Sequence, residues 1–473
     1  MNKPIVWTIA ANDPEGLTGT QVDLETLKNF NVHACSISTM VTAPNAPAVT
    51  ALSSTHIAAQ CDAFQRTFKP NAIKIGMLGS LSTHEKITHF LSEYSGLVVL
   101  DPFLTTSSNS AEHLIKLFPY VDLITPTRMD AEKIINQSLT SYQDIQEGAH
   151  ALLELGAKSV LIKGDQINDA SLSQDYWTNG YESFWIANQR VLKKKYPGTG
   201  CILSSALAAC LALGYSMKDA LIIATMYVNR GIRKAIDKDQ YTAKPVHGDW
   251  PEDEVDLPYL SPKPLVKVPE PFKHCRTGLY PVVDSSSWLE KLIPQGVQCI
   301  QLRIKNSSGK VLEEEIKRSV YLAKKYGITL FINDYWELAI RFGAEGIHLG
   351  QEDLLDADIA KIHQAGLFLG VSTHCYYEVA RAHALSPSYI ACGPIYHTTS
   401  KIMPFQPQGI QQLQRWRRTL HYPLVAIGGI NLERLPEVLQ SGVEGVSLIS
   451  AITKADNPIT ATQQFLTQIN RVT

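Results

Sequence analysis

From residue 4 to about 240, short apolar runs alternate with segments whose apolar residues recur at helical spacing. The runs IVWTIAA (5–11), ACSIST (34–39), AIKIGML (72–78), GLVVLD (96–101), VDLIT (121–125) and SVLIKG (159–164) show no in–out alternation. Strands buried on both faces read this way. Amphipathic stretches such as 21–30 and 145–155 lie between them. The pattern predicts a mostly parallel sheet with helices on both faces, an αβα sandwich. It closes with YPGTGCILSSALAACLALG (196–214), a glycine-bearing turn that opens onto a long apolar helix. Backbone N–H groups at such a helix start can cradle an anion, although a plain tight-turn entry explains the same residues.

The periodicity then stops. Between about 240 and 275 prolines fall at 245, 251, 258, 262, 264, 269 and 271, among acidic residues within 252–256. That composition predicts an extended, stiff linker, 241–275, between domains spanning 1–240 and 276–473. Beyond it come eight strand-like runs: 278–284, 297–304, 329–334, 346–350, 368–373, 389–395, 424–430 and 445–450. Helical segments separate them, for example 312–326, 358–365, 409–419 and 432–439. Eight strand–helix units in about two hundred residues predict a (β/α)8 TIM barrel, whose functional groups lie just past the strand ends.

Composition narrows the function classes. Lys and Arg total 43 against 45 Asp and Glu, so no global field points to nucleic acid or a membrane. Eight scattered cysteines form no CxxC pair, which speaks against a zinc site or a disulfide framework and for a reducing cytoplasm. MNKPIVWTIAANDPEG lacks the apolar length of a signal peptide, and 201–214 is too short to span a bilayer. The expectation is a soluble cytoplasmic protein with small-molecule partners. Homo-oligomerisation is compatible with it.

The chemistry concentrates at the strand ends of the second half. In LFINDYWELAIRFGAEGIHLGQED (330–353) two strands flank a helix, and each strand runs into a carboxylate, Asp334 or Asp353. Strands of such a unit are parallel, so both acids share one rim, where an oxygen-seeking cation such as Mg²⁺ can bind beside phosphate oxygens. A helix-capping Asp334 and a solvated turn at Glu352–Asp353 are the bland alternative. Alternation turns Gln301, Arg303 and Lys305 to one side, a fork and a point charge suited to phosphate. Asn333, Ser372, the loop Thr398-Thr399-Ser400-Lys401, Gly428-Gly429 and Ile449-Ser450 follow on later strands. The loops after strands seven and eight are the usual phosphate site of such barrels. His348 and His374 are expected to satisfy local hydrogen bonds, with no nucleophile paired to either.

The ordered runs QLRIK, IND, HLGQED, GVSTH, GPI with TTSK, AIGGI and VSLIS closely resemble thiamine phosphate synthase across 276–473. The resemblance implies that the diphosphate of 4-amino-5-hydroxymethyl-2-methylpyrimidine (HMP-PP) loses Mg²⁺-bound pyrophosphate. The nitrogen of hydroxyethylthiazole phosphate then attacks the pyrimidinylmethyl cation. Gln301, Arg303, Lys305, Asn333 and Lys401 would hold the pyrimidine diphosphate, with Mg²⁺ on Asp334 and Asp353. Ser372 would lie beside the reacting ring, and Ser372, Lys401 and Arg303 carry the catalytic expectation. Thr398, Thr399, Ser400, Gly429, Ile449 and Ser450 would hold the thiazole phosphate. A neutral nitrogen nucleophile requires no general base. Two departures are mild: Ile304 replaces a usual acid, and Ser400 a usual Thr.

Over 4–240, the runs TIAANDPEG, GTQVDL, KIGML, LDPF, ITP, IKG and GTGC resemble the hydroxymethylpyrimidine (phosphate) kinases, a ribokinase-like fold. That family uses ATP. The resemblance makes Cys201 the general base, with Gly198, Thr199, Gly200 and Lys163 around the transferred phosphoryl group. The motifs are worn, however. The family's GGAG reads Gly16-Leu17-Thr18-Gly19, its substrate-reading Gln is Pro44, and the small aliphatic after Asp-Pro is Phe103. Its Asn and Glu before the following helix are Thr127 and Asp130, and a glycine has become Asp165. These changes predict a weak or inactive kinase retained as a scaffold or pyrimidine-binding module. A fully bifunctional chain is the alternative, and a ligand sensor built on two enzyme folds a third.

Overall fold

The computed structural model describes residues 3–41, 50–104, 110–164, 171–191, 194–398 and 406–471. The chain divides into two compact units, Met1–Pro251 with Val255–Val268 and Glu252–Glu254 with Pro269–Thr473.

In the first unit the unalternating runs form the centre of a sheet. Its strands are β1 (Ile5–Asn12), β2 (His33–Val41), β3 (Thr50–Ala51), β4 (Ala72–Ile75), β5 (Leu97–Leu100), β6 (Leu123–Ile124), β7 (Val160–Ile162), β8 (Leu172–Thr178) and β9 (Ser183–Gln189). A small separate ribbon is β10 (Ile236–Asp237) with β11 (Ala243–Lys244), and β12 (Tyr259–Ser261) rejoins the large sheet. Among the described residues its order is β12-β9-β8-β7-β6-β5-β4-β1-β2-β3. The parallel core β2-β1-β4-β5-β6-β7 is buried, with Trp7, Ile9, Ile37, Ile73, Ile75 and Leu100 at its centre. The helix Thr199–Ala212 is apolar on nearly all sides and buried accordingly.

Two features depart from the sequence expectation. The antiparallel hairpin β8–β9 escaped the apolar pattern because its strands carry Gln174, Asp175 and Asn188 among aromatics. The local signal was Asn179-Gly180, a turn pair whose glycine takes φ +88. The proposed 241–275 linker is also corrected. β12 pairs with β9, and Asp256, 1% exposed, takes a fork of hydrogen bonds from Arg233. Residues Phe272 and Cys275 donate to Ser386 and Ser388 carbonyls at the base of the barrel. The β12–β9 pairing and the Arg233–Asp256 ion pair, buried at its carboxylate, hold this stretch despite its prolines, which fall outside β12.

The second unit is a closed parallel barrel of β13 (Gly278–Val283), β14 (Cys299–Leu302), β15 (Thr329–Asn333), β16 (Gly346–Leu349), β17 (Phe368–Thr373), β18 (Tyr389–Cys392), β19 (Leu424–Ile427) and β20 (Gly445–Leu448). β13 closes the ring on β20, Gly278 opposite Gly445. Large aromatics fill the interior because glycines stand opposite them. A Cβ on Gly346 would lie 2.4 Å from the Phe331 ring, and one on Gly370 2.2 Å from that of Tyr389. Gly370→Ala is therefore expected to cost about 1–3 kcal/mol through overpacking. The check is the urea midpoint of the barrel, and an unchanged midpoint would mean that Tyr389 has room to move.

Candidate active sites

At the barrel rim Asp334 occupies the first position past β15, with φ +67, a left-handed backbone that Asp tolerates better than most residues. Its N–H donates to the His348 carbonyl on the next strand (3.0 Å). The helix Trp336–Phe342 is capped from Tyr335 without any side-chain bond, so helix capping does not account for Asp334. Asp353, past β16, accepts from the Gly350 N–H at 3.1 Å. Desolvation, then the neighbouring Asp334 charge and a hydrogen bond with it, push the Asp353 carboxyl above its ordinary value. The two acids therefore meet, and Lys305 forms an ion pair with Asp334. A carboxylate pair raised in energy by mutual repulsion is a donor set that a divalent cation would relieve, so these residues fit Mg²⁺.

The other predicted residues fall around the same mouth. Gln301 and Asn333 are buried, Arg303 and Ser372 partly buried, and Lys305 exposed. Gln301 donates to the Tyr280 hydroxyl (3.1 Å). The Ser372 hydroxyl meets His348 Nε2 (2.8 Å), and its carbonyl accepts from Gln351 Nε2 (2.7 Å). His348 thus does pair with a hydroxyl, contrary to the sequence reading. His374 behaves as expected, tied locally to Glu378 through Nδ1 (2.6 Å). The signal missed was Tyr280 and Tyr389 inside strand runs, where an aromatic reads as plain core.

On the far side of the mouth, Gly428 and Gly429 take φ +98 and +67. A Cβ on Gly429 would lie 2.5 Å from the His397 carbonyl, so the glycine lets the loops after β18 and β19 touch. Ile449 caps and Ser450 begins the short helix Ser450–Thr453, and Thr398, next to His397 after β18, is partly exposed. Thr399, Ser400 and Lys401 lie outside the described residues, as do Pro44 and Asp165 of the first unit.

In the first unit the GTGC turn is built as predicted. Gly198, φ +82, caps the helix Thr199–Ala212. A Cβ there would fall 2.2 Å from the Leu17 carbonyl, so the 16–19 loop lies directly on the turn. Lys163 pairs with Asp101 (2.7 Å), and both face Gly200. Burial alone would raise the Asp101 carboxyl, but Lys163 and Lys74 hold it below its ordinary value. Cys201 lies among Lys74, Asp23 and Asp101. Desolvation raises its thiol above the usual 9.0, with Lys74 only partly opposing.

Asp23 and Lys74 form a fully buried pair (2.8 Å), joined by Thr8 and Ser205. Removing one partner of such a pair costs about 3–5 kcal/mol, which makes it first of all a brace for the fold. A lone lysine inside the run AIKIGML was its sequence signal. Phe103, in the place of the small aliphatic residue, is 56% exposed. Thr127 and Asp130 bond to each other. Thr127 Oγ1 donates to Asp130 Oδ2 (2.5 Å) and accepts from the Asp130 N–H (3.1 Å), a local helix cap.

Among the described residues no helix is long and apolar enough to cross a membrane. Residues 279–452 match the family described as thiamine monophosphate synthase, and residues 13–247 match that of phosphomethylpyrimidine kinase. A thiamine-phosphate synthase of Photorhabdus laumondii is 54% identical over 197 residues, 41% of this chain and 91% of that protein. Another from Enterobacter sp. (strain 638) is 51% identical over 199 residues, 42% of this chain and 93% of that protein. The first unit is similar to the pyridoxal kinase from Staphylococcus aureus, solved with AMP-PCP and pyridoxal. The TM-score is 0.51 at 25% identity, covering 55% of this chain and 98% of that one.

Proposed function

The chain belongs to the thiamine-phosphate synthase family through its barrel, and we propose that the barrel joins HMP-PP to hydroxyethylthiazole phosphate, releasing pyrophosphate. The observation that carries this reading is the meeting of Asp334 and Asp353 at one rim with Lys305 beside them. Charge must be neutralised where the diphosphate leaves, and little else is required of the protein. Mg²⁺ held by Asp334 and Asp353 would supply Lewis-acid stabilisation of the departing pyrophosphate. Arg303 and Lys305, just past β14, reach the same oxygens, and Lys401 is assigned there with them. Gln301, Asn333 and Ser372 hold the pyrimidine and orient its exocyclic carbon toward the thiazole. Thr398, Thr399, Ser400, Gly429, Ile449 and Ser450 take the thiazole phosphate on hydroxyls and backbone N–H groups. No side chain need remove a proton from the attacking nitrogen, which agrees with His374 being committed to Glu378.

The first unit is a phosphomethylpyrimidine kinase-like domain, and we assign it weak or no ATP-dependent phosphorylation. The support is the closed Thr127–Asp130 pair and the raised Cys201 thiol. The whole reading calls for small-molecule substrates and no nucleic acid.

The test is the purified full chain supplied with HMP-PP, thiazole phosphate and Mg²⁺. Thiamine phosphate and pyrophosphate should appear in equal amounts, and chelation by EDTA should stop both. Pyrophosphate without thiamine phosphate would instead indicate hydrolysis and an unoccupied thiazole site.

A further inference from the structure

Gln301 and Ser372 stand on β14 and β17, yet a continuous run of hydrogen bonds joins them through the barrel interior. Gln301 Nε2 meets the Tyr280 hydroxyl at 3.1 Å, which meets that of Tyr389 at 2.8 Å. The Tyr389 hydroxyl meets His348 Nδ1 at 2.7 Å, and His348 Nε2 meets Ser372 Oγ at 2.8 Å. Tyr280, Tyr389, Gln301 and His348 are each no more than 6% exposed. The His348 ring also lies nearly parallel to that of Tyr389. Gln351 Nε2, itself bonded through Oε1 by Arg381, fixes the Ser372 backbone from the other side.

Counting protons gives this run a direction. An amide nitrogen can only donate, so Tyr280 accepts from Gln301 and its single proton goes to Tyr389. Tyr389 in turn donates to His348 Nδ1. The imidazole therefore carries its one proton on Nε2 and gives it to Ser372 Oγ. A doubly protonated ring would leave the Tyr389 proton without its acceptor, an unmade bond in a dry interior. Burial pushes both phenols well above their ordinary range, so each keeps its proton.

We propose that Tyr280, Tyr389 and His348 are positioning residues that polarise this chain and leave the Ser372 hydroxyl obliged to donate. Resting on the synthase reading above, Ser372 then reads a ring-nitrogen lone pair of the pyrimidine, while Gln301 Oε1 remains to accept from the exocyclic amine. The opposite polarity would make Ser372 an acceptor and would invert what the pocket selects.

The full chain labelled with ¹⁵N-histidine tests the polarity without any turnover, the His348 signals being assigned by their loss in His348→Gln. An unprotonated Nδ1 and a protonated Nε2 are expected at neutral pH. A proton on Nδ1, or on both nitrogens, overturns the proposal. Kinetics test the consequence. Tyr389→Phe removes both bonds of that hydroxyl and should raise KM for HMP-PP about tenfold, the scale of one hydrogen bond lost from Ser372 to the ring, and leave KM for thiazole phosphate within about twofold. His348→Gln, which keeps a donor toward Ser372, should retain more affinity for HMP-PP than His348→Leu. Equal changes in both KM values, or none, would make the chain merely structural. No product from the wild type would defeat the synthase reading itself, while the tautomer would still report on the chain.

Discussion

Asp353→Asn is expected to lower thiamine phosphate synthesis about 10²–10³-fold, the scale of losing a major electrostatic contact to the departing charge. The same substitution should leave the metal-free barrel at least as stable as the wild type. The asparagine still accepts from Gly350, and its amide can donate to Asp334 where a second carboxylate now repels it. The Lys305–Asp334 pair is untouched. Activity and stability therefore move in opposite directions, as they do where a site holds like charges together for a ligand. Initial rates at saturating Mg²⁺ and a melting curve without it check the two halves. Lost activity with a lower melting point would mean that Asp353 braces the rim.

The pH dependence follows from the same pair. The Asp353 carboxyl is raised in the folded protein, so between its unfolded value near 3.8 and its folded one the native state holds more of the proton. The metal-free barrel thus loses stability as pH rises through that window, and the deficit is fully present above it. Asp353→Asn should flatten this slope. Mg²⁺ should do so too in the wild type, since a cation between the carboxylates opposes the repulsion that raises the group.

The barrel and its rim were legible because a parallel β/α closure has one functional end. Once eight strand runs were counted, Asp334, Asp353, Arg303, Lys305 and Ser372 could be placed at a shared mouth. What stayed hidden depends on contacts between strands distant in sequence. Tyr280 and Tyr389 are 109 residues apart, and each alone reads as apolar core. Only closure of the ring brings their hydroxyls to 2.8 Å and turns His348 into a partner for Ser372. The strand Tyr259–Ser261 was masked by neighbouring prolines, although proline forbids a ladder bond only at its own nitrogen. In the first unit the worn motifs were legible as substitutions, but their consequence was not. Phe103 is exposed, and Thr127 and Asp130 close on each other.

That closed pair sets the last expectation. Given thiazole phosphate and Mg²⁺, the full chain should form product from HMP-PP at least about 10²-fold faster than from the monophosphate with ATP. Phosphoryl transfer depends on positioned charge, and little covalent chemistry can compensate for its absence. Lys163, paired with Asp101, lies against Gly200, so the residues we assign to the phosphoryl group are together. The Thr127 hydroxyl and Asp130 Oδ2, by contrast, are joined in a 2.5 Å bond, and a longer Asn and Glu at those positions would extend past this cap. Burial also keeps the Cys201 thiol protonated at neutral pH, so thiolate for general-base work is scarce. Thr127→Asn with Asp130→Glu should therefore raise the ATP-dependent rate, while Cys201→Ala should leave synthesis from supplied HMP-PP unchanged. Comparable wild-type rates from both substrates would make the chain bifunctional, with the Thr127–Asp130 pair opening when nucleotide binds. A loss of HMP-PP turnover in Cys201→Ala would instead tie the two units together functionally.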